Sequence, residues 1–228
     1  MSTRLSVVIP VRDGGRYLGD ALRSAVSQQP FEILVVDDGS RDDSVAVASN
    51  FAEPVRVISA VGRGAAAARN SGVAAASGEL LAFLDADDRW TEGALCHLVR
   101  ALSSCADTAI AHGRVREFLS PDLAPEVAAR LKPRPGTSDA LLPGSFLIRM
   151  STFERVGPLD TELHSGEVID WLSRLRSLGL REAPTSEVVL ERRLHFGHLS
   201  PDKLEARGDL VRVVRGAIAR RRASENSP

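Results

Sequence analysis

Three carboxylates fall within four positions at Asp85-Ala-Asp-Asp88, directly after the apolar run Leu80-Leu-Ala-Phe-Leu84. Oxygen donors at that spacing suit one hard divalent cation, because a kink at a strand end turns Asp85 and Asp87 towards an ion that also touches a diphosphate. The same residues read equally as a solvated acidic turn capping the next helix, with Asp88 or Thr91 as N-cap. A second acidic end, Asp37-Asp38-Gly39-Ser40, closes the apolar run from Phe31, and a capping turn accounts for one of that pair. Further on, Glu167 and Asp170 stand three apart, on one face of any helix, and Asp170 precedes Arg174 by four.

Strands must bring these acids to one edge, and the chain is patterned to do so. Apolar runs over 5–11, 31–36, 55–59 and 80–84 read as buried strands, separated by helical spacing over 17–26, 42–51 and 64–76. Alternation of this kind implies crossover units and a mostly parallel sheet, and ligands of such sheets collect beyond the carboxyl ends of the strands. The expected fold is therefore α/β, Rossmann-like, with helices flanking a mostly parallel mixed sheet. A helix over 94–102 and a strand over 108–112 complete a nucleotide-binding lobe, residues 1–112. Pro121, Pro125, Pro133 and Pro135 then mark a loop or lid around a short helix over 123–131. Regular structure returns at 147–150, with helices over 151–156 and 166–178, the latter stopped by Gly179, and a last strand over 188–190. Residues 113–200 are thus expected as a second lobe of the same domain, and 201–228 as a basic amphipathic helix and tail.

Four features occur in order: the Val7-Val-Ile-Pro-Val11 strand, Glu32-Ile-Leu-Val-Val-Asp-Asp-Gly-Ser40, Arg63-Gly-Ala-Ala-Ala-Ala-Arg-Asn-Ser-Gly72, and Asp85-Ala-Asp-Asp88. Together they resemble the inverting glycosyltransferases of family 2, which have the GT-A fold; the likeness covers residues 5–91 and loosens afterwards. It implies transfer of a sugar from a nucleotide-diphosphate donor, UDP-linked by expectation, to a hydroxyl or other nucleophile, with Mg²⁺ or Mn²⁺ neutralising the leaving diphosphate. By the same likeness Pro10, Val11 and Asp38 hold base and ribose, Asp38 accepting the imide N–H of uracil. Asp13 stands where many relatives have asparagine. Gly62 and Gly64 permit close backbone approach, and Arg63 and Arg69 bring positive charge near the diphosphate. Arg69 reads equally as the ion-pair partner of an acidic loop. Asp87 is the implied metal ligand, and Asp85 contacts ribose or the water around the ion. His195, in Arg192-Arg-Leu-His-Phe-Gly-His-Leu-Ser200, resembles the late histidine that completes the metal shell or binds phosphate; the plain alternative is an ordinary surface or core histidine.

Inversion by direct displacement needs one general base on the face opposite the leaving group. Family members supply it as the aspartate of a Glu-Asp pair, and here Glu167 aligned with that glutamate puts Val168 at the base. The role passes to Asp170, the first choice because it lies a turn deeper beside Trp171, or to Glu167. Against both stands a structural reading, in which Glu167 favours the helix amino end and Asp170 pairs with Arg174. Trp90 and Trp171 read as core. The missing pair motivates an alternative, a catalytically degenerate nucleotide-sugar-binding protein. A sugar nucleotidyltransferase is disfavoured because Arg12-Asp-Gly-Gly-Arg16 lacks a Gly-x-Gly-x-Arg run.

The 228 residues carry 29 basic and 30 acidic side chains, a balance that makes no case for nucleic acid. No apolar stretch approaches the roughly 20 residues of a membrane span, and no signal-like run opens the chain. Two cysteines suggest reduced thiols, with Cys96 in the core. The expected location is the cytoplasm, or the inner membrane face through the basic C-terminal helix. The acceptor, whether glycan, lipid, small molecule or peptide, is left open.

Overall fold

The computed structural model describes residues 4–199, with only the backbone at 198 and 199, and residues 209, 213, 215 and 216 of the C-terminal segment. Its frame is one eight-stranded sheet in the order β3-β2-β1-β4-β7-β6-β8-β5. The first strands are β1 (Leu5–Val11), β2 (Glu32–Asp37), β3 (Val55–Ser59) and β4 (Leu80–Phe83), all parallel, joined by α1 (Gly15–Val26), α2 (Ser44–Ser49) and α3 (Ala65–Ala75). β1, β2 and β4 are mostly apolar and buried on both faces, as strands between two helical layers must be, whereas β3 is the edge strand, with Arg56 and Ser59 exposed. Their carboxyl ends share one edge, which is where the acidic turns emerge.

The second half adds β5 (Arg89–Trp90), α4 (Ala94–Leu102), β6 (Thr108–Leu119), α5 (Pro125–Ala128), β7 (Phe146–Arg149), α6 (Met150–Val156), α7 (Glu167–Ser177) and β8 (Arg181–Leu194). β7 runs antiparallel between β4 and β6, while β8 lies parallel to β6 and antiparallel to β5. Alternate strand residues feed two cores. One holds Ile9, Leu18, Leu22, Ala82, Trp90 and Leu98 under α1 and α4, and the other Val8, Phe83, Phe146, Phe153, Trp171 and Leu175 under α3, α6 and α7. The tryptophans are core, as expected. Trp90 Nε1 donates to the Gly144 carbonyl and Trp171 Nε1 to that of Gly157, so neither buried N–H is left unmet.

Gly72 sets how close α3 comes to the sheet: a Cβ there would lie 2.3 Å from Val8 Cγ1 and 3.0 Å from Val36 Cγ2. The stops at the start of α1 and around Gly64 are conformational, since Asp13 has φ 50° and Gly64 φ 91°. An asparagine-like αL position is one that aspartate also tolerates.

Three expectations need correction. β6 and β8 run well past 108–112 and 188–190, because the added residues form a ribbon held by charge rather than by apolar alternation: Arg116 and Arg89 both pair with Glu191, and Arg192 with Glu117. Cys96 is exposed, since α4 buries Ala94, Leu95, Leu98 and Leu102 and position 96 falls on the other side. The helix expected over 123–131 is confined to the four residues of α5. The surrounding loop is tied down at Asp122, which accepts from Ser120 and pairs with Arg16, and at Ser138, which bridges to Val115. The helix expected over 204–222 lies almost wholly outside the described residues. Of it, Val213 is buried and Asp209 accepts the N–H groups of His164 and Ser165, just ahead of α7. No helix among the described residues is long and apolar enough to cross a membrane.

Candidate functional site

The Leu84 N–H donates to the Val8 carbonyl and carries the β4 pairing one residue further, after which Asp88 N–H closes back on the Asp85 carbonyl in a tight turn. That turn presents its acids in three directions. Asp85 Oδ1 accepts from Arg69 Nη2 at 2.6 Å. Asp87 Oδ2 lies 2.9 Å from His195 Nε2. Asp88 points inward, where Oδ1 accepts the Arg193 N–H at 2.8 Å. Burial, and then the charges of Asp87 and Asp85, hold the Asp88 carboxyl well above the usual carboxylate range.

Beside the turn opens a cavity of about 650 Å³, bounded by the ends of β1, β2 and β4 and the start of α3. Nine of the residues expected at the nucleotide and metal sites line it, Pro10, Val11, Asp13, Asp38, Gly64, Arg69, Asp85, Asp87 and His195, whereas Gly62 and Arg63 do not. Its size is that of a small-molecule cleft. Asp38 follows β2 and Asp87 follows β4, strands on either side of β1, and Asp38 Oδ2 accepts the Gly64 N–H at 2.9 Å and lies 3.7 Å from Arg12 Nη1. Its neighbour Asp37 folds back on the N–H groups of Gly39 and Ser40, the capping turn anticipated for one member of the pair. Asp13 takes the N–H of Arg41 at 2.7 Å, so it braces the β2–α2 loop against the β1 end.

Arg69 resolves into an ion-pair bridge. It is 4% exposed, donating to Asp85 and, through Nη1 at 2.6 Å, to Glu167, while its Nε finds no hydrogen-bond partner among the described residues. Glu167 is thereby joined to the cavity wall, although neither it nor Asp170 lines the cavity. Asp170 Oδ2 accepts from Arg174 Nε at 2.9 Å, and Arg174 also donates to the carbonyls of Val156 and Pro158. This is the i,i+4 pairing of the structural reading, and it ties α7 to the end of α6. Val168 packs in the core with Phe146 and Trp171.

Several lining residues escaped sequence reasoning. Arg12, Arg16, Tyr17 and Phe196 all face the cavity. Tyr17 read as one apolar position of α1, and only its place in the first turn after the Gly14-Gly15 step hints at the β1 edge. Phe196 is 66% exposed, a value that no pattern in a short histidine-containing stretch would signal.

Among the described residues no group of three or more His, Cys, Asp or Glu side chains is clustered to hold a metal by itself. The donor set nevertheless fits one held partly by a ligand: Asp87 and His195 converge within 2.9 Å at the cavity wall, with Asp85 on the same turn. Mg²⁺ is ordinarily held by one or two carboxylates, with substrate phosphates and water completing its shell.

The model of the family described as "Glycosyl transferase family 2" matches residues 6–149. Among curated proteins, an uncharacterized glycosyltransferase of Nostoc sp. is 36% identical over 115 residues, 48% of this chain and 36% of its own length. The glycosyltransferase AglE of Haloferax volcanii is 29% identical over 196 residues, 77% of this chain and 62% of its own. This chain thus spans less than two thirds of either relative. Among solved structures, S. aureus TarS 1–349 superposes with a TM-score of 0.71 at 17% identity, covering 95% of this chain and 65% of that one. A mannosyltransferase from Pyrobaculum calidifontis, PcManGT, in complex with GDP-Man and Mn²⁺, gives 0.71 at 17%, covering 96% and 65%. These likenesses establish a GT-A fold, and the match over 6–149 places the chain: it belongs to glycosyl transferase family 2.

Proposed function

We propose that this chain carries the donor site of an inverting glycosyltransferase that takes its sugar from a nucleoside diphosphate, with a divalent cation, Mg²⁺ or Mn²⁺, at Asp87 and His195. The observation that carries this reading is that one cavity is lined both by Asp38, after β2, and by Asp85, Asp87 and His195. A base and ribose fit against Pro10, Val11 and Asp38, and the diphosphate runs along Gly64 to the Asp85–Asp87 turn. Support comes from relatives in fold: TarS has been solved with UDP-GlcNAc and PcManGT with GDP-Man and Mn²⁺. Of the two nucleotides those structures name, UDP is the one we assign here, through the Asp38 carboxylate and the uracil imide. The cation, when bound, supplies neutralisation of charge on the departing diphosphate.

The rest of the chemistry falls to this chain's own side chains. An acceptor oxygen forms its bond to the anomeric carbon as the bond from that carbon to the diphosphate oxygen breaks. The acceptor proton passes to a carboxylate on the opposite face. Of the two candidates Glu167 is the one joined to the cavity, through Arg69 and Asp85, whereas Asp170 is engaged by Arg174 towards α6. We therefore assign the proton to Glu167, and to Asp170 the holding of α7. We assign residues 1–112 to a donor lobe and 113–200 to an acceptor lobe, with His195 of the second reaching into the donor cavity. Acceptors remain open among glycans, lipids, small molecules and peptides.

One observation favours a second reading. Val168 fills the base position and both nearby carboxylates are in ion pairs, as in a protein that binds a nucleotide sugar without turning it over. Isothermal titration with UDP and GDP, each with Mn²⁺ or with EDTA, joined to hydrolysis of the matching nucleotide sugars, separates the readings. Metal-dependent binding that Asp87→Ala abolishes, with hydrolysis lost in Glu167→Gln and kept in Asp170→Asn, supports the transferase. Binding without turnover in the parent chain supports the degenerate protein, and no binding of either nucleotide overturns both.

A further inference from the structure

β8 ends at Leu194, with Arg193 as its penultimate residue and His195 directly after it. His195 meets the Asp87 carboxylate. Arg193 meets the same residue by its backbone: Nε donates to the Asp87 carbonyl at 2.9 Å, and the Arg193 N–H donates to Asp88. The guanidinium is 2% exposed and does not line the cavity, so it is no diphosphate ligand despite its place in a basic run. Its other donors go to Asp20 Oδ2 of α1 at 2.8 Å and to Ser120 Oγ at 3.4 Å. Its plane lies between two rings, 4.8 Å from the centroid of Tyr17 and 4.8 Å from that of Phe118. Tyr17 in turn packs 5.0 Å from the His195 ring.

A single buried cation thus touches the acidic turn, α1, the end of β6 and, through Tyr17, the histidine that faces Asp87. Buried charge of this kind is retained only where its bonds are made, and here every bond ends on an element that shapes the turn. We propose that Arg193 is the positioning residue of the Asp85–Asp87 turn, setting the distance between the Asp87 carboxylate and His195 and so the affinity for the divalent cation. The proposal rests on the metal-dependent donor site argued above. Groups that orient a metal's ligands, once replaced, typically cost 10–100-fold in metal affinity. Lysine keeps the charge but not the planar fork that reaches a carbonyl and a carboxylate while stacked between rings.

The test titrates Mn²⁺ into the whole chain with UDP and, separately, with GDP, reading nucleotide binding by calorimetry with EDTA as the zero-metal arm. Arg193→Lys is expected to raise half-saturating Mn²⁺ at least about tenfold, with nucleotide binding in EDTA unchanged. Phe118→Leu and Asp20→Asn loosen Arg193 from outside the cavity and should each raise it several-fold if Arg193→Lys does not fold. Arg192→Lys, whose side chain pairs with Glu117 instead, serves as the control at the wild-type value. A folded Arg193→Lys with the wild-type Mn²⁺ requirement, or Phe118→Leu and Asp20→Asn both unshifted, overturns the proposal. Loss of binding in EDTA to the same degree as with Mn²⁺ would show general damage to the cavity and overturns it too. A wild-type chain that binds nucleotide with no dependence on Mn²⁺ refutes the metal site itself, a result distinct from either.

Discussion

Arg69→Met asks whether the donor turn and α7 are joined by charge. Arg69 is 4% exposed and donates bonds of 2.6 Å to both Asp85 and Glu167. Methionine fills much of the same space but leaves two carboxylates facing each other without a cation. Removing one partner from a buried ion pair costs about 3–5 kcal/mol, most of it the stranded charge. The two acids do not share that cost evenly. The Glu167 side chain is 11% exposed and that of Asp85 30%, so water screens the second far better. Neutralising Glu167 should therefore recover more than neutralising Asp85. Arg69→Met/Glu167→Gln is expected above Arg69→Met by about 1–3 kcal/mol, the range of coupling for contacting residues. At roughly 2–4 °C per kcal/mol for a chain of this size, Arg69→Met melts about 6–20 °C below the parent. Urea denaturation followed by circular dichroism measures all three, with m unchanged if only the native state is affected. Arg69→Met within about 1 kcal/mol of the parent would refute the bridge, as would a double variant less stable than Arg69→Met.

Gly72→Ala gains about 1 kcal/mol of helix propensity but drives a Cβ to 2.3 Å from Val8 Cγ1, inside a strand buried on both sides. Overpacking of that kind costs about 1–3 kcal/mol, so the denaturation midpoint should fall; a rise would show that α3 can lift from β1 freely. Glu32 is buried, and although burial raises its carboxyl, bonds from Ser6, Ser77 and Arg56 outweigh that and hold it below the ordinary 4.5. A carboxylate depressed in the folded state contributes stability that is fully present above its unfolded pKa and lost as pH falls through the folded one. Melting temperature should thus drop steeply below about pH 4.5 in the parent and more gently in Glu32→Gln, which starts lower at pH 7. Parallel curves would assign the acid loss to other groups.

The parallel half of the molecule was legible because strands buried on both faces are mostly apolar, so 5–11 and 80–84 show as apolar runs, while the edge strand 55–59 shows as a weaker one broken by Arg56. Acids at the ends of such runs stand out, and Asp38, Asp85 and Asp87 do line one cavity. Legibility failed where charge replaces apolar contact. β6 and β8 continue as a ribbon whose cross-strand neighbours are Arg116, Glu191, Arg192 and Glu117, and that pattern in sequence reads as loop. Arg193 was hidden for the same reason: in a row of arginines, nothing marks the one that is buried between Tyr17 and Phe118.

The acceptor side is where sequence pattern and geometry part most. Glu167 and Asp170 share a helix face by spacing, yet their arginines draw them apart, one to α3 and the other to the end of α6. Val168 between them is 7% exposed among Phe146 and Trp171, so a carboxylate placed there would enter an apolar core rather than the cleft. The departure from the family's Glu-Asp pair is thus built into how α7 packs and is not repaired by restoring one side chain. On the proposed mechanism Glu167 takes the acceptor's proton while its Oε1 holds the Arg69 bond at 2.6 Å, so the proton goes to Oε2. Where removal of that proton governs the rate, a panel of acceptors graded by the acidity of the attacking group should show transfer rising with acidity. Equal rates across the panel would mean that proton removal does not govern the reaction, and would take the base role away from Glu167.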